Sequence, residues 1–293
     1  MTMARVVVGE IFVAILVLGL LYAALSPILQ PILFPQAQTS WITGQGEIER
    51  YTLTKGANIP QNVNFVDLNI TMKSGGIFIN FSDEPNLAFD ASFTHRTDAA
   101  QLAANYAVSD QTLQVNAYAE AGGLNITLGN SCQYNGSLTV KVGGVLMKLD
   151  QYSNVSKLAV LISYAGGAVI DVNSEASFQQ LDFQVNAGGL QLNIDADRIG
   201  RSGTINANFS IGGLSMGVKV DTVQVGVSLD ATVDIGGLNV NDGDFVGDIT
   251  TTQCSVETNG YSVAAEKLDI KANVGLGGVT LQRSLLSIPG FNG

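Results

Sequence analysis

A pair of adjacent glycines recurs along this chain at a nearly constant interval, and this spacing constrains the fold more than any other feature. Counted between the first glycines of successive pairs, the intervals are 47, 21, 23, 22, 24, 24 and 41 residues. A fixed period of about 20 to 50 residues is typical of repeat architectures, in which each unit buries its apolar face against its neighbours. The pairs are Gly75–Gly76, Gly122–Gly123, Gly143–Gly144, Gly166–Gly167, Gly188–Gly189, Gly212–Gly213, Gly236–Gly237 and Gly277–Gly278.

Each glycine pair lies between two segments in which apolar and polar residues alternate. In residues 181–195, for example, apolar side chains occupy positions 181, 183, 185 and 187 before the pair and 190, 192 and 194 after it. Alternation with a period of two is typical of strands that bury one face. The parity changes across Gly188–Gly189, so Ala187 and Leu190 can share a side only if the chain turns there. Glycine accepts the positive φ of such a turn, and we therefore expect these pairs to be structural turns.

The two long intervals are nearly double the others, and small or turn-forming pairs occur within them, Ala99–Ala100 and Asn259–Gly260. We therefore expect about ten units of about 22 residues. The favoured fold is all-β: a β-solenoid whose parallel strands stack about 4.8 Å apart, with the glycine pairs aligned at one corner. An antiparallel β-sandwich of Gly-Gly hairpins is the alternative. A short helix could interrupt the strands within residues 96–107.

The N-terminal 35 residues differ from the rest of the chain. Residues 6–25 are apolar except for three positions, and about twenty helical residues can cross a bilayer core of about 30 Å. Arg5 is followed by no further Lys or Arg until Arg50, which predicts a cytoplasmic N-terminus and an extracellular remainder. We therefore expect a single-pass protein of the cell membrane. A cleaved signal peptide and a pilin-like leader, the latter suggested by Gly9-Glu10, are the alternatives.

These patterns divide the chain into four parts. We expect residues 1–35 to hold a cytoplasmic stub, the transmembrane helix and an interfacial segment. Residues 36–60 are interpreted as a stalk, and 61–285 as the β-repeat domain. Residues 286–293 are interpreted as a C-terminal cap or tail, because an unprotected sheet edge invites pairing with another chain.

The run of Gly-Gly turns between alternating strands, behind one N-terminal apolar helix, resembles the prokaryotic adhesin domains of the toast-rack or β-solenoid type. The resemblance covers roughly residues 61–285, and it carries no individual functional residue over to this chain. It implies a role at the cell surface or envelope. The expected partners are the lipid bilayer through residues 6–25, a cell-surface glycan or protein ligand, and further copies of the chain.

Side chains suited to catalysis are sparse. His95 is the one histidine, so no pair of histidines can bind zinc, and a histidine-based relay could form only around that residue. We therefore expect no enzymatic activity and no cofactor, with calcium as the one candidate. Asp242, Asp244 and Asp248 place several hard oxygens in one turn, as calcium requires, but they lack the EF-hand spacing, and a solvated acidic loop is the alternative. With 14 basic against 25 acidic residues, binding to nucleic acid through charge is disfavoured.

Two features are relevant to whether the chain is exported: its Asn-x-Ser/Thr sequons and its two cysteines. The density of Asn-x-Ser/Thr sequons favours an exported and glycosylated chain. Cys132 and Cys254 fall in the third and eighth predicted units, roughly 24 Å apart along a solenoid, so we expect no disulfide between them. The candidate glycosylation sites are Asn69, Asn80, Asn125, Asn135, Asn154 and Asn208.

The sequence thus favours a membrane-anchored extracellular β-repeat protein with an adhesin-like or structural role. One alternative is a subunit of a pilus-like filament that packs through its N-terminal apolar helix. Another is a carbohydrate-active enzyme on a β-helix, for which the sequence offers only the acidic residues around 242–248.

Overall fold

The computed structural model describes residues 46–96, 103–241 and 243–283. Contacts divide the chain between Thr43 and Gly44, and every described residue belongs to the second unit. The described residues form thirteen strands and one short 3₁₀ turn at Tyr261–Val263. The strands are β1 (Gly46–Thr54), β2 (Phe65–Ser82), β3 (Leu87–Arg96), β4 (Ala103–Ser109), β5 (Thr112–Gly129), β6 (Gln133–Leu149), β7 (Val155–Asn173), β8 (Phe178–Ala196), β9 (Gly203–Val220), β10 (Val225–Asn241), β11 (Phe245–Ile249), β12 (Gln253–Thr258) and β13 (Glu266–Arg283).

Eight of these strands are long, contain one glycine pair each and stack in parallel. We call each one a coil, with a first arm before the glycine pair and a second arm after it. Between β8 and β9, Gly188 pairs with Gly212 and Gly189 with Gly213, so the ladder continues through the bend. The β-solenoid prediction is confirmed, and among the coils the antiparallel sandwich is not observed. The coils are β2, β5, β6, β7, β8, β9, β10 and β13.

The coils do not stack in chain order. Their order in space is β5, β2, β6, β7, β8, β9, β13, β10, so the second coil from each end is reached out of sequence. The additional residues of the two long glycine intervals form short antiparallel strands at the ends of the stack. Asn259–Gly260 lies in the turn between β12 and the 3₁₀ turn, and Ala99–Ala100 lies outside the described residues. The described chain therefore has eight coils where the intervals suggested ten.

Among the described residues, the short strands cover both arms of the outermost coil β5 and the first arm of the outermost coil β10. At one end, β4 pairs with Thr112–Tyr118 in the first arm of β5, and β3 pairs with Gly123–Thr127 in its second arm. At the other end, β12 pairs with Ser228–Thr232 in the first arm of β10, and β11 pairs with β12. A solenoid would otherwise end in unpaired backbone donors and acceptors.

Two stretches differ from the sequence interpretation. The strand β1, at Gly46–Thr54, lies within the range 36–60 that we interpreted as a stalk, and it pairs with β3. The strand β4 occupies Ala103–Ser109, and part of it lies within 96–107, the range in which the sequence would allow a short helix. In both cases pairing with a cap or an end coil decides the conformation, because local propensity is a weak signal beside an available sheet edge.

Crowding between neighbouring coils explains why the turns are glycine. Gly188 has φ +138°, and a Cβ built on it would lie 1.5 Å from the carbonyl oxygen of Gly166 on the next coil. The first glycine of all eight pairs has positive φ, as predicted. Crowding at the second glycine varies: a Cβ added at Gly237 would meet no heavy atom within 4 Å, whereas one at Gly213 would lie 1.9 Å from the Gly278 carbonyl oxygen.

The core is one continuous column of inward-facing aliphatic and aromatic side chains. In β8, for example, Leu181, Phe183 and Val185 of the first arm are at most 1% exposed. Cys132 and Cys254 are buried and unbonded, as expected from their separation along the stack. Among the described residues there is no helix of sufficient length and apolarity to span a bilayer, and the predicted transmembrane range 6–25 lies outside them.

Candidate binding surface

Many side chains on the outer face of the coils are neutral and polar, and several of them bond to one another between coils. Thr232 Oγ1 donates to Asn273 Oδ1 at 2.8 Å, and Asn273 Nδ2 donates to Asn208 Oδ1 at 2.9 Å. Near the opposite end, Asn69 Nδ2 donates to Asn116 Oδ1 at 3.1 Å. Parallel, in-register stacking places outward side chains of equivalent positions side by side, so amides and hydroxyls form such ladders.

A shallow depression, which we call the outer groove, opens on the first arms of four neighbouring coils. Its volume is about 250 Å³. Gly275 on β13 leaves a gap in the row of side chains, and Ser210 on β9 and Asp234 on β10 flank that gap. The groove therefore presents hydrogen-bonding groups of both kinds to a ligand. It is lined by Gln184, Asn208, Phe209, Ser210, Thr232, Asp234, Asn273, Val274 and Gly275.

Apolar side chains are exposed along the glycine corner of the stack, both beside the groove and on more distant coils. Val142, Ile211 and Ile235, each of which directly precedes a glycine pair, are 45%, 54% and 59% exposed. The alternation suggested that Ala187, at the equivalent position of β8, continues the buried face, but it is only half-buried. The bend begins before the glycines, so the last inward residue of that arm is Val185.

One carboxylate on the outer face, that of Asp182, is stabilised in its charged form. Burial raises the pKa of Asp182, but hydrogen bonds from Gln180 and Asn206 and the nearby Lys157 ammonium outweigh it and leave the pKa below its usual value. Asn206 Nδ2 lies 2.7 Å from Asp182 Oδ1, and Lys157 Nζ lies 3.4 Å from Oδ2. This cluster spans β7, β8 and β9 and is saturated by its own members, which suits a structural role.

The calcium prediction is only partly covered by the described chain. Asp242 lies outside the described residues, Asp244 lies in the turn after β10, and Asp248 lies exposed on β11 opposite Ser255. Within the described ranges no three His, Cys, Asp or Glu side chains form a group that could hold a metal. Calcium at 242–248 stays a prediction. Of His95, the structure describes the backbone, which lies in β3.

The sequon asparagines lie on the outer surface of the coils and their connections. Asn69, Asn125 and Asn208 are exposed, whereas Asn80, Asn135 and Asn154 are half-buried. Arg201 donates to Asn154 Oδ1 at 3.2 Å, which ties this asparagine to the connection before β9. An oligosaccharide transferase needs access to the amide nitrogen, so the exposed group comprises the better acceptors. Glycosylation stays a prediction.

The outer groove could not be found from the sequence. Asn273 lies between Asn208 and Thr232 because β13 inserts between β9 and β10, whereas in chain order β10 directly follows β9. The usable signal is the position of each residue relative to its glycine pair, since all three lie four residues before the first glycine. This shared position shows which residues are equivalent, but only the order of the coils in space shows which of them are neighbours.

Comparisons with known proteins give structural similarities. No family model matches the chain, and no curated protein matches it. A putative cell adhesion protein from Clostridium sporogenes ATCC 15579 is similar in structure, with a TM-score of 0.48 and 15% sequence identity over 82% of this chain and 100% of that one. A putative adhesin from Bacteroides fragilis NCTC 9343 is similar with a TM-score of 0.33 and 13% identity, over 80% of this chain and 97% of that one.

Proposed function

We propose that this chain is a membrane-anchored extracellular β-solenoid with an adhesin-like role, and that the outer groove contributes to ligand binding. The observation that carries the proposal is the groove itself, which has a volume of about 250 Å³ and is lined mainly by amide, hydroxyl and carboxylate groups. Such groups provide oriented donors and acceptors for a polyhydroxylated or peptide ligand.

The charge and the sequence of the chain agree with this role. A net charge of −11 disfavours anionic partners such as nucleic acid, whereas a groove of mostly neutral groups suits a neutral glycan. The apolar run at residues 6–25 provides the anchor, with Arg5 on its cytoplasmic side. The proposal assigns the chain no enzymatic activity and no cofactor.

Location and binding are tested separately on cells that carry the full-length chain. Protease added to intact cells should remove the β-repeat domain, and a carbonate wash should leave the undigested chain in the membrane. Release of the full-length chain by carbonate would contradict the anchor. Recovery of the chain in filaments sheared from the cells would instead favour the pilus-like alternative.

Binding is tested by comparing Asn273→Ala with Asn193→Ala on the same cells, probed with a panel of fluorescent neutral glycans. Asn273 lies in the groove, whereas Asn193 lies on a second arm, where its amide donates to Asp171 at 2.8 Å. We expect the groove variant to lose glycan binding and the control to keep it. Equal binding by both variants, or none by the parent chain, would remove the groove from the proposal.

A further inference from the structure

An apolar strip runs along the glycine corner over six neighbouring coils. It consists of the residues that directly precede the glycine pairs, and each of them is exposed or half-buried. Its two ends are five strand spacings apart, which is about 24 Å. A continuous exposed apolar strip of this kind is typical of an interaction surface. We call it the corner row, and from β6 to β10 it reads Val142, Ala165, Ala187, Ile211, Leu276 and Ile235.

The corner row fits against a reversed copy of itself. A two-fold axis between β8 and β9, perpendicular to the stack, would bring Ala187 of one copy opposite Ile211 of another. The same axis would bring Ala165 opposite Leu276. Each small residue then meets a large one, so large side chains do not collide. Such self-complementarity is what a closed two-fold interface requires, because residue i must contact residue j twice.

A second row beside the corner row shows the same relation in its charges. It consists of the residues two positions before each glycine pair, and we call it the flanking row. From β6 to β10 it reads Lys141, Tyr164, Asn186, Ser210, Gly275 and Asp234. A lysine thus lies at one end and an aspartate at the other. The reversal about the same axis brings Lys141 of each copy opposite Asp234 of the other, so opposite charges meet twice.

The flanking row also has a projecting side chain and a matching gap. Between Ile162 and Ala165, β7 has one residue more than β6 has between Val140 and Val142, and beside this bulge Tyr164 is 61% exposed. The gap is at Gly275, where the outer groove opens. A Cβ on Gly275 would lie 2.8 Å from the Ser210 carbonyl oxygen, so this position cannot easily carry a side chain. The reversal brings each tyrosine opposite the gap of the other copy.

We propose that two copies of this chain pair antiparallel through their glycine corners. Tyr164 of each copy lies in the outer groove of the other, and Lys141 of each lies beside Asp234 of the other. A two-fold axis along the stack would instead set each of these residues against its own equivalent. Like charges would then be opposed and the groove would stay empty, which favours the antiparallel arrangement.

The pairing goes beyond ligand binding and does not depend on it. A second copy in the outer groove excludes a glycan from the same space, so pairing would regulate access to the groove. The described chain begins in β1, which pairs with β3 of the cap over β5. In the antiparallel pair the two β1 strands therefore lie at opposite ends, an orientation that suits copies held on two facing surfaces.

Charge reversal tests the pairing. Sedimentation equilibrium of the full-length chain, in mild detergent and at low salt, gives the dissociation constant of the dimer. We expect Lys141→Glu and Asp234→Lys each to weaken association by about tenfold or more, and the double variant to restore it to within about threefold. Lys219→Glu is the control, because it reverses a charge on the second arm of β9, away from the corner, and should leave association unchanged.

Two results of this measurement would overturn the proposal. One is a parent chain that stays monomeric up to about 100 µM. The other is a double variant that associates as weakly as the single variants. Tyr164→Ala should also weaken association by about tenfold or more, because it removes the side chain that fills the groove of the other copy, and unchanged association would contradict that contact.

A disulfide tests the direction of the pairing. Lys141→Cys and Asp234→Cys are combined in the full chain, whose native cysteines are buried. Within one chain these positions are about 24 Å apart, too far for a disulfide, so any bond between them joins two copies. Mild oxidation should give covalent dimers of the double variant and none of either single variant. Dimers of the single Lys141→Cys variant, or no dimers of the double variant, would overturn the antiparallel pairing.

Discussion

The two ends of the solenoid share a topology and differ in their cover. At the β5 end, strands lie along both arms of the outermost coil, and the inward residues Leu124 and Ile126 are buried. At the β10 end, a described strand lies along the first arm alone, and Leu238 and Val240 are half-buried. The alternation is the same in both coils. Burial at a solenoid end therefore depends on the segments that return to cover it and not on the sequence of the coil.

The caps are also attached by different means. At the β5 end, the buried Tyr134 hydroxyl lies 2.9 Å from the Ala88 carbonyl of β3 and 2.8 Å from the Gly129 carbonyl of β5. At the β10 end, the Thr258 hydroxyl of β12 accepts from the Val227 N–H at 3.0 Å. The hydroxyl of a large aromatic residue thus bonds to the covering strand β3 at one end, whereas at the other end the hydroxyl of a small residue of the covering strand β12 bonds to the coil. The following predictions test how far this difference extends, beginning with the largest expected effect.

Substitution within the glycine ladder should separate a crowded first glycine in the middle of the stack from an uncrowded second glycine at the β10 end most sharply. Gly188→Val forces a β-branched residue to φ +138° and places its Cβ 1.5 Å from the Gly166 oxygen, so we expect a loss of about 4 kcal/mol or failure to fold. The control Gly237→Val meets no atom within 4 Å and should cost about 1 kcal/mol or less. Urea unfolding of both variants measures the difference. Equal costs would contradict the crowding argument.

Truncation of equivalent core residues tests the difference in cover. Leu124→Ala creates a cavity under β3, and we expect it to cost about 3 kcal/mol in free energy of unfolding. Leu238→Ala should cost about 1 kcal/mol because that side chain is already partly hydrated. Thermal and urea unfolding give both values. If the two costs agree, the ends are equally covered in solution.

Removal of the cap fastenings should have a smaller effect. Tyr134→Phe removes one hydroxyl from a buried site, and we expect a loss of about 1 to 2 kcal/mol. Thr258→Val leaves the Val227 N–H without its acceptor and should cost a similar amount. Hydrogen exchange should locate each effect at its own end, in β3 for the first variant and in β12 for the second. Effects that spread along the whole stack would mean that the caps and coils unfold together.

Acid should reveal the smallest difference between the ends. Glu120 on β5 and Lys73 on β2 each lie two residues before a glycine pair, and Lys73 Nζ is 2.7 Å from Glu120 Oε1. The equivalent positions at the β10 end are Asp234 on β10 and Gly275 on β13. The Lys73 ammonium lowers the pKa of Glu120 from its usual 4.5. The pair therefore stabilises the fold above pH 4.5, and this contribution is lost as the pH falls through the lowered pKa.

The matched variants for this acid effect are Glu120→Gln and Asp234→Asn. We expect Glu120→Gln to reduce the fall in melting temperature below pH 4.5 by a small amount, since both members of the pair are exposed. Asp234→Asn should change it less. Melting curves from pH 3 to 7, taken at low salt, make this comparison. A larger effect at Asp234 would reverse the assignment.

Much of the architecture could be predicted from the sequence because it is periodic. The constant interval and the parity change at Gly188–Gly189 predict parallel coils with glycine corners, and both are observed. The number and order of the coils could not be predicted. An interval of 47 residues is equally compatible with two coils or with one coil and a cap, and pairing between distant segments decides between them.

The candidate site was less accessible to such reasoning. A cluster such as Asp242, Asp244 and Asp248 is visible because its members are close in sequence, and local spacing is what a sequence displays. The outer groove joins Asn208, Thr232 and Asn273, which belong to three coils and meet only because β13 is inserted between β9 and β10. The cysteines needed the number of coils but not their order. Because several coils separate Cys132 from Cys254, the sequence predicts that they are unbonded, as observed.

The interleaving at both ends has a consequence for how proteins of this kind can change in length. The four middle coils, β6 to β9, follow one another in chain order, whereas each end is closed by a segment that leaves and returns. Duplication or loss of one middle unit would shift every later coil by a single strand spacing of about 4.8 Å and leave both closures intact. The length of the stack can therefore change in steps of one coil through gene duplication, without any change to the segments that close its two ends.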